Sequence, residues 1–232
     1  MADALDEVLR RAQDLGFLGP RPVAAQRHHA EALCTLALAG FEPAGEHGVE
    51  RPGRSTPKEA PLGAPTSGGE YLDLGSGGGL PGLVLAGHPG AAAMHGSLLD
   101  SQRRRATFLA EAIERLGLRD RLAVVAGRAE DVARDPAHRE RYTLVISRGF
   151  ASPPVTAECA VGYLRPGGRL VVSEPPEPEP GRWDQGALAE LGFGVPELVA
   201  RDETHAAILH RTGPLDPRWP RKSGVPKKRP LW

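Results

Sequence analysis

Tyr71-Leu-Asp-Leu-Gly-Ser-Gly-Gly-Gly-Leu-Pro-Gly82 decides the fold of this chain. Four apolar-rich residues break into a run of glycines, and Pro81 then stands where the first turn of a helix tolerates proline. The pattern is strand, tight turn, helix. Two readings share its letters. From Gly77, the residues Gly77, Gly79 and Gly82 fit G-x-G-x-x-G, the turn that faces a pyrophosphate with backbone N–H groups. From Asp73, the same stretch fits D-x-G-x-G-x-G, the pattern of an S-adenosylmethionine site. The glycines alone do not separate the two.

Working outward, the pattern repeats toward the C-terminus. A second strand ends in Ser97-Leu-Leu-Asp100, and Ser101 is expected to cap an amphipathic helix with Leu109, Ile113 and Leu116 on one face, closed by Gly117. Strands are expected at Leu122–Val125, Thr143–Ser147 and Arg169–Ser173, with a helix around Val155–Leu164 before the Arg165-Pro-Gly-Gly168 turn. A short helix near Ala187–Leu191 precedes two closing strands, Glu197–Ala200 and Ala206–His210. Regular βαβ alternation predicts an α/β fold: a mostly parallel seven-stranded sheet, helices on both faces, and an antiparallel hairpin at one edge.

Toward the N-terminus, Leu5, Val8, Leu9, Ala12 and Leu15 recur at helical spacing, and a second helix from Val23 aligns Ala30, Leu33 and Ala37. The expected organisation is a helical cap (1–41), a Gly/Pro-rich flexible insert (42–69), the α/β domain (70–212) and a basic tail (213–232).

The formal net charge of the 232 residues is zero, so no global field draws in nucleic acid or membrane. The charge is uneven, however. No acid follows Asp216, whereas Arg218, Arg221, Lys222, Lys227, Lys228 and Arg229 do, interleaved with Trp219 and Trp232. Cations among aromatic faces suit single-stranded or looped RNA, and such a tail is expected to stay out of the core. Cys34 and Cys159 lie far apart without a C-x-x-C, and no histidine spacing suits a metal. The first residues lack the apolar stretch of a signal peptide, and no run approaches the ~18 apolar residues of a membrane span. A soluble, cytoplasmic, metal-free monomer is the expectation.

Three features favour the methyl donor. Asp73 suits a cofactor with an ammonium and a sulfonium, and would repel a pyrophosphate. Gly127-Arg-Ala-Glu-Asp131 follows the third strand, where a methyltransferase sets a backbone group and an acid beside the adenine. Leu164-Arg-Pro-Gly-Gly-Arg-Leu170 is a common methyltransferase turn. Asp100 serves either reading, since a carboxylate there accepts hydrogen bonds from ribose hydroxyls. The expected fold is thus the class I, Rossmann-like, S-adenosylmethionine-dependent methyltransferase.

The chain also resembles one family, the bacterial 16S ribosomal RNA guanine-N7 methyltransferases (glucose-inhibited division protein B). The similar stretches are Asp73–Gly82, Leu98–Ser101 with Arg104 behind it, Gly127–Glu130, Val145-Ile-Ser-Arg-Gly-Phe-Ala-Ser152 and Trp219–Leu231. The resemblance implies that Asp73, Gly75, Gly77 and Leu80 border the donor site, that Asp100 holds the ribose and that Ala129 and Glu130 flank the adenine. Arg148 would stand at the mouth beside methyl group and target, positioning the target rather than acting as acid or base. Arg103, Arg104 and the six tail cations would meet ribosomal RNA or the small subunit. The chain departs from the family in lacking an Asn-x-x-x-Asn-Leu-Thr stretch. It also carries Ser173-Glu-Pro-Pro176 where a lysine is common, and it has the 42–69 insert.

The implied chemistry is undemanding. Guanine N7 has a free lone pair and no proton to lose, so in-line displacement at a sulfonium needs orientation but no general base, a contribution of about 7–11 kcal/mol. Arg148 has two readings, a donor to a guanine edge or phosphate and an ion-pair partner of Glu130. Two other functions share the fold: methylation of a small molecule or protein, and RNA binding without catalysis.

Overall fold

The computed structural model describes residues 2–40 and 68–232. The expected flexible insert therefore lies, apart from Gly68 and Gly69, outside the described residues. The sheet has seven strands: β1 (Glu70–Leu74), β2 (His95–Asp100), β3 (Leu122–Ala126), β4 (Tyr142–Ser147), β5 (Leu164–Glu174), β6 (Glu197–Arg201) and β7 (Thr204–His210). Their spatial order is β3-β2-β1-β4-β5-β7-β6. The first five strands are parallel, and β7 runs antiparallel to both neighbours. The chain reverses direction across the sheet between β1 and β4, where ligands bind in open α/β sheets.

The helices are α1 (Ala2–Asp14), α2 (Val23–Leu38), α3 (Gly82–Gly87), α4 (Arg103–Arg115), α5 (Ala129–Val132), α6 (Pro153–Val161), α7 (Gln185–Glu190) and α8 (Val225–Lys228). One sheet face packs against α1 to α4 through Leu9, Leu33, Leu83, Leu98, Leu109 and Ile146. The other packs against α6, α7 and the C-terminal segment through Leu74, Val145, Tyr163, Leu170, Leu188 and Trp219. Strands buried on both faces read as near-continuous apolar runs, as Thr143-Leu-Val-Ile146 does.

Three expectations change in detail. Gln102, not Ser101, is the N-cap of α4, and its own side chain makes no cap bond. Asp100 Oδ1 accepts from the Gln102 N–H instead (2.8 Å). The Pro-Gly-Gly stretch is an irregularity within β5, because the register to β4 shifts between Tyr142 and Leu144. For the same reason Leu164 belongs to β5, and α6 stops at Val161.

The C-terminal segment is the main correction. It docks on the body, contrary to the expectation that it stays out of the core. Trp219 is 3% exposed, and Leu231 and Trp232 pack against the same cluster. Arg134 donates to the Arg218 carbonyl (3.1 Å) and Arg139 to that of Trp219 (2.9 Å). The Trp219 indole donates to the Glu190 carbonyl (3.2 Å), and the Trp232 indole to that of Arg182 (3.0 Å). Body arginines thus satisfy the backbone of a segment without strand or long helix, a long-range pairing that charge pattern does not reveal.

The turn after β1 is built by close approach. The Gly82 N–H donates to Asp73 Oδ2 (3.0 Å), and the Gly82 carbonyl accepts from the Tyr71 hydroxyl (3.0 Å). A methyl group on Gly82 would lie 2.4 Å from Leu98 Cδ2 and 2.5 Å from Asp73 Oδ2. Gly82→Ala is expected to destabilise the fold by about 1–3 kcal/mol, the usual range for overpacking. Urea unfolding checks this; an unchanged midpoint would show that the contact is dispensable.

Candidate functional site

A cavity of about 560 Å³ opens at the C-terminal ends of β1 to β4. Its floor is Gly75 and Leu99. Asp100, Ser101, Gln102 and Arg105 form one side, and Gly127, Arg128, Ala129 and Glu130 the next. Residues 149–152, with Val155 and Cys159 of α6, form the opposite wall, and Lys227 reaches in from α8.

The glycine turn leans on β2. Gly75 N–H and Ser76 N–H both donate to the Leu99 carbonyl (3.0 and 2.9 Å), and Gly77 N–H donates to Asp100 Oδ2 (3.0 Å). Gly75 has φ +80°, and a Cβ there would strike the Phe150 ring at 2.6 Å. A bare backbone therefore forms the cavity floor at this point. The following glycines face elsewhere. A Cβ on Gly78 would meet Leu18 at 2.6 Å, so the N-terminal cap packs directly on the turn.

Asp100 is 5% exposed and accepts from Gly77 and Gln102, with the Arg105 guanidinium 3.7 Å away. A buried carboxylate held by two backbone donors is fixed in direction and presents its remaining acceptor capacity to the cavity. Gly127 N–H donates to the Asp100 carbonyl (3.1 Å), which ties the β3–α5 loop to the end of β2. Glu130 is 6% exposed and accepts from Arg128 (3.2 Å) and from Gly224 N–H (2.8 Å). Burial pushes its carboxyl upward, but the N–H of Gly224, its own N–H and Arg128 outweigh this, leaving it below the ordinary glutamate value. The Glu130 carboxylate is thus tied to the C-terminal segment through Gly224, while residues 127–130 line the cavity.

Of the residues singled out in the sequence, Gly75, Asp100, Ala129 and Glu130 line the cavity together. Asp73, Gly77, Leu80 and Arg148 do not. Asp73 is fully buried beneath the turn as a partner of Gly82. Gly77 acts from behind by orienting Asp100. Leu80 is a core residue, 4% exposed. Arg148 donates to the Gln26 carbonyl (3.3 Å) and to its side-chain oxygen (3.1 Å), binding the β4–α6 loop to α2. Its partner is therefore Gln26 and not Glu130, whose cation is Arg128.

Of the expected RNA-contacting residues, Arg221 is a structural ion pair with the buried Glu158. Arg218 is held by Glu190 and Asp216 and lies over the Trp219 ring (4.5 Å). Arg103, Arg104, Lys222, Lys227, Lys228 and Arg229 are exposed and outside the ion pairs among the described residues.

Sequence reasoning missed Gln26, Phe150 and Glu158. An acid inside Pro153-Pro-Val-Thr-Ala-Glu-Cys-Ala-Val161, where every residue is buried, was the readable signal for a paired charge. Gln26 gave none, because its partner is 122 residues away. In the Ser173-Glu-Pro-Pro176 stretch, Ser173 Oγ lies 3.4 Å from His29 Nε2, and Glu174 is paired with Arg182. Burial first, then Arg148 and Arg21, pushes His29 down to about 4, so its ring is neutral near pH 7.

Against this geometry, a sequence profile described as rRNA small subunit methyltransferase G matches residues 64–175. The ribosomal RNA small subunit methyltransferase G of Deinococcus deserti is 38% identical over 170 residues, covering 70% of this chain and 68% of that protein. This chain belongs to the rRNA small subunit methyltransferase G family. The family's Rubrobacter xylanophilus protein is 42% identical over 174 residues, covering 70% of this chain and 65% of its own length. The fold is shared more widely. A Methanococcus maripaludis structure described as an S-adenosyl-L-methionine-dependent methyltransferase aligns with TM-score 0.52 at 21% identity, covering 63% of this chain and 78% of that one.

Asp73 carries a pH signature. Burial raises its carboxyl from 3.8 to about 7, against the pull of Ser76 and Gly82, and its Oδ1 has no hydrogen-bond partner among the described residues. Below about pH 4 the group is protonated folded or unfolded. Between 4 and 7 the unfolded chain releases the proton while the native state keeps it. Stability therefore falls as pH rises through that window, by about 1.4 kcal/mol for each pH unit crossed. Asp73→Asn is expected to remove that decline, gaining on the parent protein by roughly 3–4 kcal/mol from pH 4 to 7.5. Parallel stability profiles from urea unfolding at several pH values would contradict it.

Proposed function

We propose that this S-adenosylmethionine-dependent rRNA methyltransferase places its methyl group on N7 of a guanine in 16S ribosomal RNA. Family membership supports the reaction class, and the observation that carries the site is the cavity at the ends of β1 to β4. The residues there suit the donor. Backbone without a side chain at Gly75 leaves room, buried Asp100 offers acceptor capacity for ribose hydroxyls, and the start of α5 at residues 128–129 lines the cavity where the adenine edge would lie. When bound, the donor supplies an electrophilic methyl group on a sulfonium.

The chain's own work is positioning. Asp100, aimed by Gly77 and Gln102, and the 127–130 loop fix the nucleoside end. Phe150 and residues 149–152 wall off the opposite side and restrict water. Arg148 sits one residue before that wall and keeps further guanidinium N–H groups beyond its Gln26 contacts for a guanine edge or a phosphate. None of these residues has to accept a proton, which agrees with a target atom that carries none. Arg103, Arg104, Lys222, Lys227, Lys228 and Arg229 are the cations free to meet the RNA backbone. The protein acts as a cytoplasmic monomer in this reading.

The deciding experiment supplies labelled S-adenosylmethionine to the protein with small subunits, or their RNA, lacking the modification, and maps product by cleavage at N7-methylguanine. One labelled guanine is the expected result. Donor binding with no transfer to RNA would redirect the acceptor to a small molecule or protein, with the Ser173–Pro176 departure as the first suspect.

The RNA contacts predict a salt signature. Each neutralised phosphate on a single strand contributes about −0.7 to the log–log slope of affinity against salt. Replacing Lys222, Lys227, Lys228 and Arg229 by alanine is expected to flatten that slope by about 2–3. A slope unchanged from the parent protein would remove the C-terminal cations from the RNA surface.

A further inference from the structure

The C-terminal segment connects two buried acids beside the cavity. Glu158 of α6 is 0% exposed, and a carboxylate so placed requires a charged, hydrogen-bonded partner. Arg221 supplies it completely. Its backbone N–H and its Nε both donate to Glu158 Oε1 (2.8 Å each), and an Nη donates to Oε2 (2.6 Å). The same guanidinium donates to the Arg229 carbonyl (2.8 Å) and lies 5.8 Å above the Trp219 ring. One side chain therefore joins both ends of the stretch 219–229 and fixes it to α6.

That stretch also reaches the cavity. Three residues after Arg221, Gly224 adopts φ +79° and its N–H donates to Glu130 Oε1 (2.8 Å). Glu130 lines the cavity, as do Cys159, next to Glu158, and Lys227, on the far side of Gly224. The Glu158–Arg221 pair and the Gly224–Glu130 bond are the two fixed points of one short strap, and the second point belongs to the 127–130 loop that lines the cavity.

We propose that Arg221 and Glu158 are positioning residues for the adenosine end of the cofactor. Their ion pair seats the C-terminal strap so that Gly224 holds the Glu130 carboxylate and, with it, the backbone of residues 127–130. The inference rests on the reading that this cavity takes S-adenosylmethionine with its adenosine against that loop. Seating of the strap and occupancy of the cavity are then linked, and by reciprocity each favours the other equally. Lys222, Lys227 and Lys228 ride on the same strap, so the surface proposed to meet RNA is aligned by the contact that organises the cofactor site.

The test uses calorimetric titration with S-adenosylhomocysteine and with adenosine alone, together with tryptic cleavage within the strap, in the full-length protein. Arg221→Ala is expected to weaken both ligands by a factor of about 10, within the usual range for coupled sites. Arg221→Lys is expected to recover part of the loss. In the parent protein, S-adenosylhomocysteine is expected to slow cleavage after Lys222. A purely structural role would lower thermal stability without these ligand effects. Unchanged affinity in Arg221→Ala while its strap is cut rapidly would overturn the proposal. Should that variant not fold, the parent protein decides, because cleavage indifferent to bound ligand overturns it equally. A parent protein that binds neither ligand would instead refute the cofactor reading.

Discussion

The contact between the Asp73 carboxylate and the Gly82 N–H governs the geometry of the whole site. It forms only because Gly82 has no side chain, and it fastens the end of β1 to the start of α3. With that distance set, the intervening turn folds back onto β2, where the Leu99 carbonyl receives the N–H groups of Gly75 and Ser76 and Asp100 that of Gly77. Asp100 is thereby aimed, the β3–α5 loop is tied to its carbonyl, and the cavity acquires a floor and one wall. The cost is a buried carboxyl that prefers its proton.

Both ends of the chain finish what the sheet begins. Ala12 of α1 and Leu18 of the α1–α2 connection rest on Gly78, and Gln26 takes the guanidinium of Arg148. The C-terminal segment fills the opposite side with Trp219 and meets Glu130 through Gly224. The sheet brings the edges of the strands together, and these two flanking pieces hold its loops still. Several exposed cations outside ion pairs, Arg103 and Arg104 at the start of α4 and Lys222, Lys227, Lys228 and Arg229 on the C-terminal segment, lie in the two pieces of chain that border the cavity.

This arrangement matches what the proposed reaction demands. Methyl transfer to an aromatic nitrogen needs reactants held in line and water kept away, with no proton shuttle. The cavity contains carboxylates, but those of Asp100 and Glu130 are already occupied by backbone N–H donors, which suits holding and orienting rather than proton transfer. Arg148 is half-buried and anchored, a cation set in place beside the site.

The strand–turn–helix of residues 70–87 and the alternation that follows were legible because they rest on local rules. Apolar strand runs, period-3.6 burial and glycine at close turns depend on near neighbours in the chain. So did the placement of Asp100 and Glu130, which end a strand and start a helix beside the same cavity. What only the tertiary structure decided was the partner of each charge. Asp73 and Asp100 look equivalent as acids at strand ends, yet one is sealed under the turn and the other opens to the cavity. Arg221 and Lys222 look equivalent in a basic tail, yet one neutralises Glu158 and the other faces solvent. Those assignments depend on which atoms 63 residues apart are brought within hydrogen-bond distance, and electrostatic pairing over such separations leaves no periodic trace in the sequence.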